Sequence, residues 1–111
     1  MLTLAWAIEV KVTNTLEGRE NLNIHCKSKD DDLGRHLLHF NQTFQWTFGH
    51  QIFGKTLFFC SIQWGNGQLL HFDAYVQTRD LSVCSLCEWY IKKNGPCRYE
   101  DFNAFRCYKW N

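Results

Sequence analysis

In a chain of 111 residues, 45% hydrophobic and 16% aromatic, there is enough apolar side chain to fold around one core, which excludes a disordered chain. Twelve basic and eleven acidic residues lie interspersed for a formal net charge of +1, so the basic footprint of a nucleic-acid or anionic-membrane binder is missing. No run approaches the ~20 apolar residues of a membrane-spanning helix, and one domain over residues 1–111 is expected.

Taken in chain order, the opening stretch Leu2 to Val10 is too short for a signal-peptide core with its flanks and carries Glu9, so it reads as the start of a first strand. The leader of a secreted chain would then have been removed ahead of it. Ile8, Val10 and Val12 alternate with Glu9 and Lys11, and Leu22, Ile24 and Cys26 alternate with Asn23 and His25, the period of half-buried strands. Phe44, Trp46 and Phe48 continue the pattern. Phe58, Cys60, Ile62 and Trp64 share one face of a more apolar run that suits the centre of a sheet. Phe72, Ala74 and Val76 oppose His71, Asp73 and Tyr75; Cys87, Trp89 and Ile91 oppose Glu88, Tyr90 and Lys92; Phe105 to Trp110 makes a closing strand. Turn chemistry at Leu16-Glu17-Gly18, Gly65-Asn66-Gly67 and Lys93-Asn94-Gly95-Pro96 separates these runs. No segment sustains a helical apolar period. The pattern predicts an all-β fold, an antiparallel β-sandwich of seven to eight strands stapled by disulfides, with a small barrel as the alternative.

Six cysteines, at 26, 60, 84, 87, 97 and 107, are an even number, and Asn41-Gln42-Thr43 is an N-glycosylation acceptor pattern. Both point to an oxidising, extracellular setting. Cys84-Ser85-Leu86-Cys87 has the spacing of half a zinc knuckle, but Cys97 and Cys107 do not supply the second CxxC, so no metal site is assigned. His36 and His39 would share a face only on a helical turn, and His25, His50 and His71 are read as surface or strand-face residues. The run Lys27-Ser28-Lys29-Asp30-Asp31-Asp32-Leu33-Gly34 lacks the alternating ligands of an EF-hand loop and reads as a solvated, charge-balanced connection. No Ser-His-Asp or Cys-His set has a recognisable local context, so no catalytic residue and no cofactor are assigned and the chain is read as a non-enzyme.

The phrase His25-Cys26-Lys27-Ser28-Lys29-Asp30-Asp31-Asp32-Leu33-Gly34 resembles the signature of the plant self-incompatibility family, the S-protein homologues. Around it stand Val12-Thr13-Asn14, Phe44-Gln45-Trp46-Thr47-Phe48, Phe58-Phe59-Cys60-Ser61-Ile62-Gln63-Trp64, Phe72-Asp73-Ala74-Tyr75, Cys87-Glu88-Trp89-Tyr90-Ile91, Asn94-Gly95-Pro96-Cys97 and Cys107-Tyr108-Lys109-Trp110-Asn111, so the resemblance covers nearly the whole chain. It implies a small secreted plant protein of β-sandwich type and, as in the founding cases, a ligand recognised by a cell-surface receptor; a defence-type or hydrolytic effector is the alternative. A monomer that does not span a membrane is expected.

Cys26, Cys60, Cys87 and Cys107 occupy the family's positions, with Cys84 and Cys97 as an additional pair. The expected pairing is Cys26 with Cys107 and Cys60 with Cys87, joining strand-face cysteines from distant parts of the chain, and Cys84 with Cys97, one of 15 possibilities. Asn41 is the expected glycan site. Specificity is placed in the loops Lys27 to His36, Gln77 to Ser85 and Gly49 to Lys55, with Lys27, Lys29, Asp30, Asp31, Asp32 and Arg35 as the partner-binding residues of the first.

Overall fold

The structure, a computed structural model, describes residues 7–49, 55–101 and 104–111. The expected strand start before Ala7, His50 and the interior of the Gly49 to Lys55 loop lie outside the described residues. Among the described residues nine strands and one short helix follow one another: β1 (Ala7–Asn14), β2 (Leu22–Lys27), β3 (Asp32–Leu38), β4 (Thr43–Gly49), β5 (Leu57–Gln63), β6 (Leu70–Val76), α1 (Gln77–Asp80), β7 (Leu86–Lys92), β8 (Gly95–Glu100) and β9 (Ala104–Cys107). They form a five-stranded sheet, β4-β1-β7-β8-β9, and a four-stranded sheet, β3-β2-β5-β6. Buried positions alternate with half-buried or exposed ones along β1, β2, β5 and β7, and the apolar residues facing inward from both sheets form one core, with Val10, Val12, Trp89 and Ile91 meeting Leu22, Ile24, Ile62 and Phe72. Burial of this alternating face drives the sheets together. Trp89 ties them by donating its indole N–H to the Ala74 carbonyl at 2.8 Å.

The sandwich is therefore all-β as expected, with two strands beyond the seven periodic runs, and one pairing, β1 with β7, is parallel. The first unanticipated strand, β3, carries Asp32, Arg35 and His36, whose charge reads as a loop; it lies at a sheet edge, where only Leu33 and Leu38 turn toward the core. The second, β8, begins at Gly95-Pro96, which reads as a turn. Here the reversal is Lys93-Asn94, and Gly95 is buried at φ 152°, so close to the Tyr108 carbonyl that any Cβ would collide with it. On β6 the alternation also departs from expectation. Tyr75 is buried and Val76 only half-buried, because a register irregularity at Phe58/Phe59 reverses which face follows. The closing strand ends at Cys107; Tyr108 and Trp110 fold back on the core, and the Asn111 amide reaches the His71 carbonyl of the other sheet.

All six cysteines are oxidised, but none of the expected pairs forms. The bridges are Cys26–Cys60, Cys84–Cys87 and Cys97–Cys107. Two are cross-strand neighbours: Cys26 is opposite Cys60 on β2 and β5, and Cys97 opposite Cys107 on β8 and β9. Pairing inside each sheet brings the Cα atoms within 4.0 and 3.9 Å, whereas the expected Cys26–Cys107 and Cys60–Cys87 bridges would have to cross between sheets. The third closes the CxxC itself.

Candidate functional site

Because β1, β3, β5 and β7 start where β2, β4 and β6 finish, the connections 28–31 and 77–85 and the described residues Gly49, Lys55 and Thr56 between β4 and β5 lie at one end of the sandwich. Of these, the second and third are stitched together, the Gln77 amide donating to the Thr56 carbonyl and the Thr56 amide to the Gln77 side chain. An open cavity of about 430 Å3 lies between Lys29, Asp30 and Asp31 on one side and Lys55, Thr56 and Leu57 on the other. The charged turn is self-contained: the Ser28 amide bonds the Asp31 carbonyl and the Asp31 amide bonds the Ser28 hydroxyl. Its carboxylates are not used in that closure. Among the described residues, the side chains of Lys29, Asp30 and Asp31 have no hydrogen-bond or ion-pair partner. Among the described residues, four of the seven exposed large hydrophobic side chains, Leu57, Leu81, Val83 and Leu86, belong to this same end.

The structure divides the remaining residues of the expected partner loop. Lys27 closes β2, and Asp32 and Arg35 belong to β3, so the first connection is only four residues long. Asp32 braces the start of β3, accepting from the Gly34 amide at 2.9 Å and pairing with His25 Nε2 at 2.6 Å. These two contacts hold its carboxyl below the ordinary value, the backbone N–H of Gly34 contributing most and the His25 side chain next. Lys27 and Arg35 project instead from the outer face of the four-stranded sheet, beside a second cavity.

One functional-looking cluster was missed in the sequence altogether. Asp80, fully buried at the end of α1, accepts from the Val76 amide at 2.8 Å, from Arg79 Nε and Nη2 at 2.7 Å each, and from Arg98 Nη1. Arg98, 2% exposed on β8, also reaches Glu100 at 3.1 Å, and that contact is the chief cause of a lowered Glu100 pKa. Both guanidinium groups lie over Trp89 and Tyr108, at 5.1 to 5.8 Å from the ring centroids. With every carboxylate oxygen engaged, this arrangement anchors α1 and the CxxC segment; the Cys84 amide itself donates to the Asp80 carbonyl. Among the described residues no group of three His, Cys, Asp or Glu side chains converges as a metal site would require. No helix there is long and apolar enough to cross a membrane.

Asn41 stands in the β3–β4 turn at φ 70°, exposed, with its amide bonded to the Asn14 carbonyl. That turn is at the opposite end of the sandwich from the three connections.

Residues 9–110 match the family profile of plant self-incompatibility protein S1. S-protein homolog 5 of Arabidopsis thaliana is 42% identical over 105 residues, a match covering 95% of this chain and 80% of that protein; S-protein homolog 29 of the same plant is 43% identical, covering 92% and 76%. In fold the chain resembles a solved self-incompatibility protein homologue, from a family described as widespread, small, highly stable and secreted from plants, with a TM-score of 0.65, 21% identity and 96% of each chain covered. A profile match over most of the chain, together with relatives above 40% identity, places this protein in the plant self-incompatibility protein S1 family, among the S-protein homologues.

Proposed function

We propose that this protein is a secreted, monomeric recognition ligand whose loop end engages a cell-surface receptor protein, without a cofactor and without chemistry of its own. The observation that supports this reading most is the convergence at one end of three connections that combine unengaged charges with exposed apolar side chains. Apolar residues grouped among polar ones mark protein contact surfaces, and unpaired charges steer encounter with a complementary partner. The disulfide-bonded sandwich holds these connections on a rigid frame, so their display costs little ordering on binding. Family membership supports secretion, as do three disulfides in a chain this short. Asn41 fits the reading as a glycan site, because a sugar at the far end would leave the loops uncovered.

The test is binding of the labelled, oxidised protein to intact plant cells. Saturable binding that is lost after protease treatment of the cells is the expected result. Asp30→Asn with Asp31→Asn, and separately Leu81→Ser with Val83→Ser, should weaken it while leaving the melting temperature nearly unchanged. Equal binding by both correctly folded variants would overturn the role of this end. Turnover of a substrate with no saturable binding would favour the effector reading instead.

A further inference from the structure

An open cavity of about 490 Å3 lies on the outer face of the sheet β3-β2-β5-β6. Strand register sets a row of polar side chains straight across it: Arg35 is opposite His25, His25 opposite Ser61, and Ser61 opposite His71. At the ~4.8 Å spacing of neighbouring strands this row is about 14 Å long. Beside it, Lys27 is opposite Phe59, whose half-buried ring forms part of the floor, and on the other side Asn23 is opposite Gln63.

We propose that this face binds an acidic oligosaccharide of uronate type, with Lys27 and Arg35 meeting its carboxylates and the transverse row meeting its hydroxyls. The inference is independent of the receptor reading and concerns a different surface. Charge complementarity carries it. Among the described residues no carboxylate lines the cavity, and the side chains of Lys27, Arg35 and His71 make no hydrogen bond or ion pair. By register two acids stand beside the cavity outside its lining: Asp32, opposite Lys27 and already taken by His25 and Gly34, and Asp73, opposite Phe59.

The neutral groups narrow the class. Asn23, Ser61 and the imidazoles can both donate and accept, as sugar hydroxyls do, while the planar guanidinium of Arg35 suits a carboxylate fork. An acidic peptide would use its backbone, and extended peptides dock along sheet edges where ladder groups are open. Here β2 and β5, at the centre of the face, have neighbours on both sides, so only side chains are on offer. The His25 ring is held in place by Asp32, which gives the row a pre-set geometry.

The experiment is titration calorimetry of the oxidised protein with three probes: an oligogalacturonate, its methyl ester and poly-L-glutamate of matched charge. Oligogalacturonate is expected to bind, more weakly as salt rises, and the neutral ester at least about tenfold more weakly. Lys27→Gln with Arg35→Gln should lose about tenfold or more of the affinity with an unchanged melting curve, since both residues are exposed. Lys92→Gln with Lys109→Gln, an equal charge change away from the cavity, should bind as wild type, and so should the Asp30/Asp31 loop variant. The proposal is overturned by failure of the folded wild type to bind oligogalacturonate, by equal affinity for the ester, by an unaffected Lys27/Arg35 variant, by equal loss in the Lys92/Lys109 control, or by tighter binding of poly-L-glutamate. Receptor binding to cells could fail without touching any of these results.

Discussion

Two groups of charge in this molecule obey opposite rules. Around Asp80, four donors converge on one buried carboxylate, and the two arginines that supply three of them are stacked on Trp89 and Tyr108. In the turn at Lys29, Asp30 and Asp31 the charges face solvent and their side chains contact no partner among the described residues. The buried carboxylate is held by four hydrogen bonds because desolvated charge is tolerated only when it is paired, although Arg98 Nε is buried without a hydrogen-bond partner among the described residues. The exposed group costs nothing to keep and contributes little to stability, so it is available for recognition.

The sharpest way to break this contrast is to unpair the buried set. Asp80→Asn takes the buried counter-charge from Arg98, which keeps only the part-exposed Glu100, and should cost about 3–5 kcal/mol, read as a large fall in the urea midpoint. A loss below about 1 kcal/mol would place Asp80 with the exposed charges. The frame comes next. Cys26→Ala with Cys60→Ala opens a loop of 34 residues and should cost about 4 kcal/mol by chain entropy, whereas Cys84→Ala with Cys87→Ala, closing only three, should cost about 2 kcal/mol. Denaturant melts of the two double variants check that ranking, and near-equal losses would show that the CxxC bridge is coupled to the Asp80 cluster it follows.

Asn14 tests whether neutral buried polar groups follow the same rule. Its side chain donates to the Glu20 and Leu38 carbonyls at 2.7 and 3.0 Å and accepts from the Leu16 amide at 3.0 Å, so Asn14→Ala should cost about 1–3 kcal/mol through the orphaned groups. By contrast, Asp30→Asn with Asp31→Asn should change stability by no more than about 0.5 kcal/mol, measured in the same melts. Asp32 must be left out of that variant, since it braces His25 and Gly34.

Acid gives the smallest effect. Glu17, Glu20, Asp32 and Glu100 all have folded-state pKa values below the ordinary ones, mainly through the Lys93 amide, the Lys93 side chain, the Gly34 amide and Arg98 respectively. Groups depressed on folding contribute stability that is complete above their unfolded values and is lost as the pH falls through the folded ones. The melting temperature should therefore hold steady down to the ordinary carboxylate range and fall below it. Asp32→Asn should shallow that decline slightly, and a decline of the same slope in the variant would remove Asp32 from the account.

Much of the fold was legible because burial on one face leaves a period of two. Val10 and Val12, Ile24 and Cys26, Cys60 and Ile62, and Trp89 and Ile91 all point inward as their spacing predicts. The failures have specific causes. β3 is an edge strand whose charged residues face water, and β8 contains a buried arginine, which a hydrophobicity pattern scores as outward. Asp80 and Arg98 are 18 residues apart and carry no local mark of their pairing.

The candidate surfaces were legible only in part. The loop end gathered three segments that the sequence could name separately but not bring together. The single partner loop broke in two places because Lys27 belongs to β2 and the residues from Asp32 onward pair with it as a strand. His25, Ser61 and His71 offered no motif, since their alignment exists only across strands.

By itself, the amino-acid sequence determined the all-β class, the core face of most strands, the oxidised character of the chain and the family resemblance. Each depends on residue type and on spacing along one segment. Tertiary structure alone decided which cysteines meet, that β1 runs parallel to β7, that Asp80 holds two arginines beneath two aromatic rings, and that two basic residues face a groove instead of a loop. Those outcomes depend on strand order and register, which arise from packing two sheets over a shared core and leave no trace in any short stretch of chain.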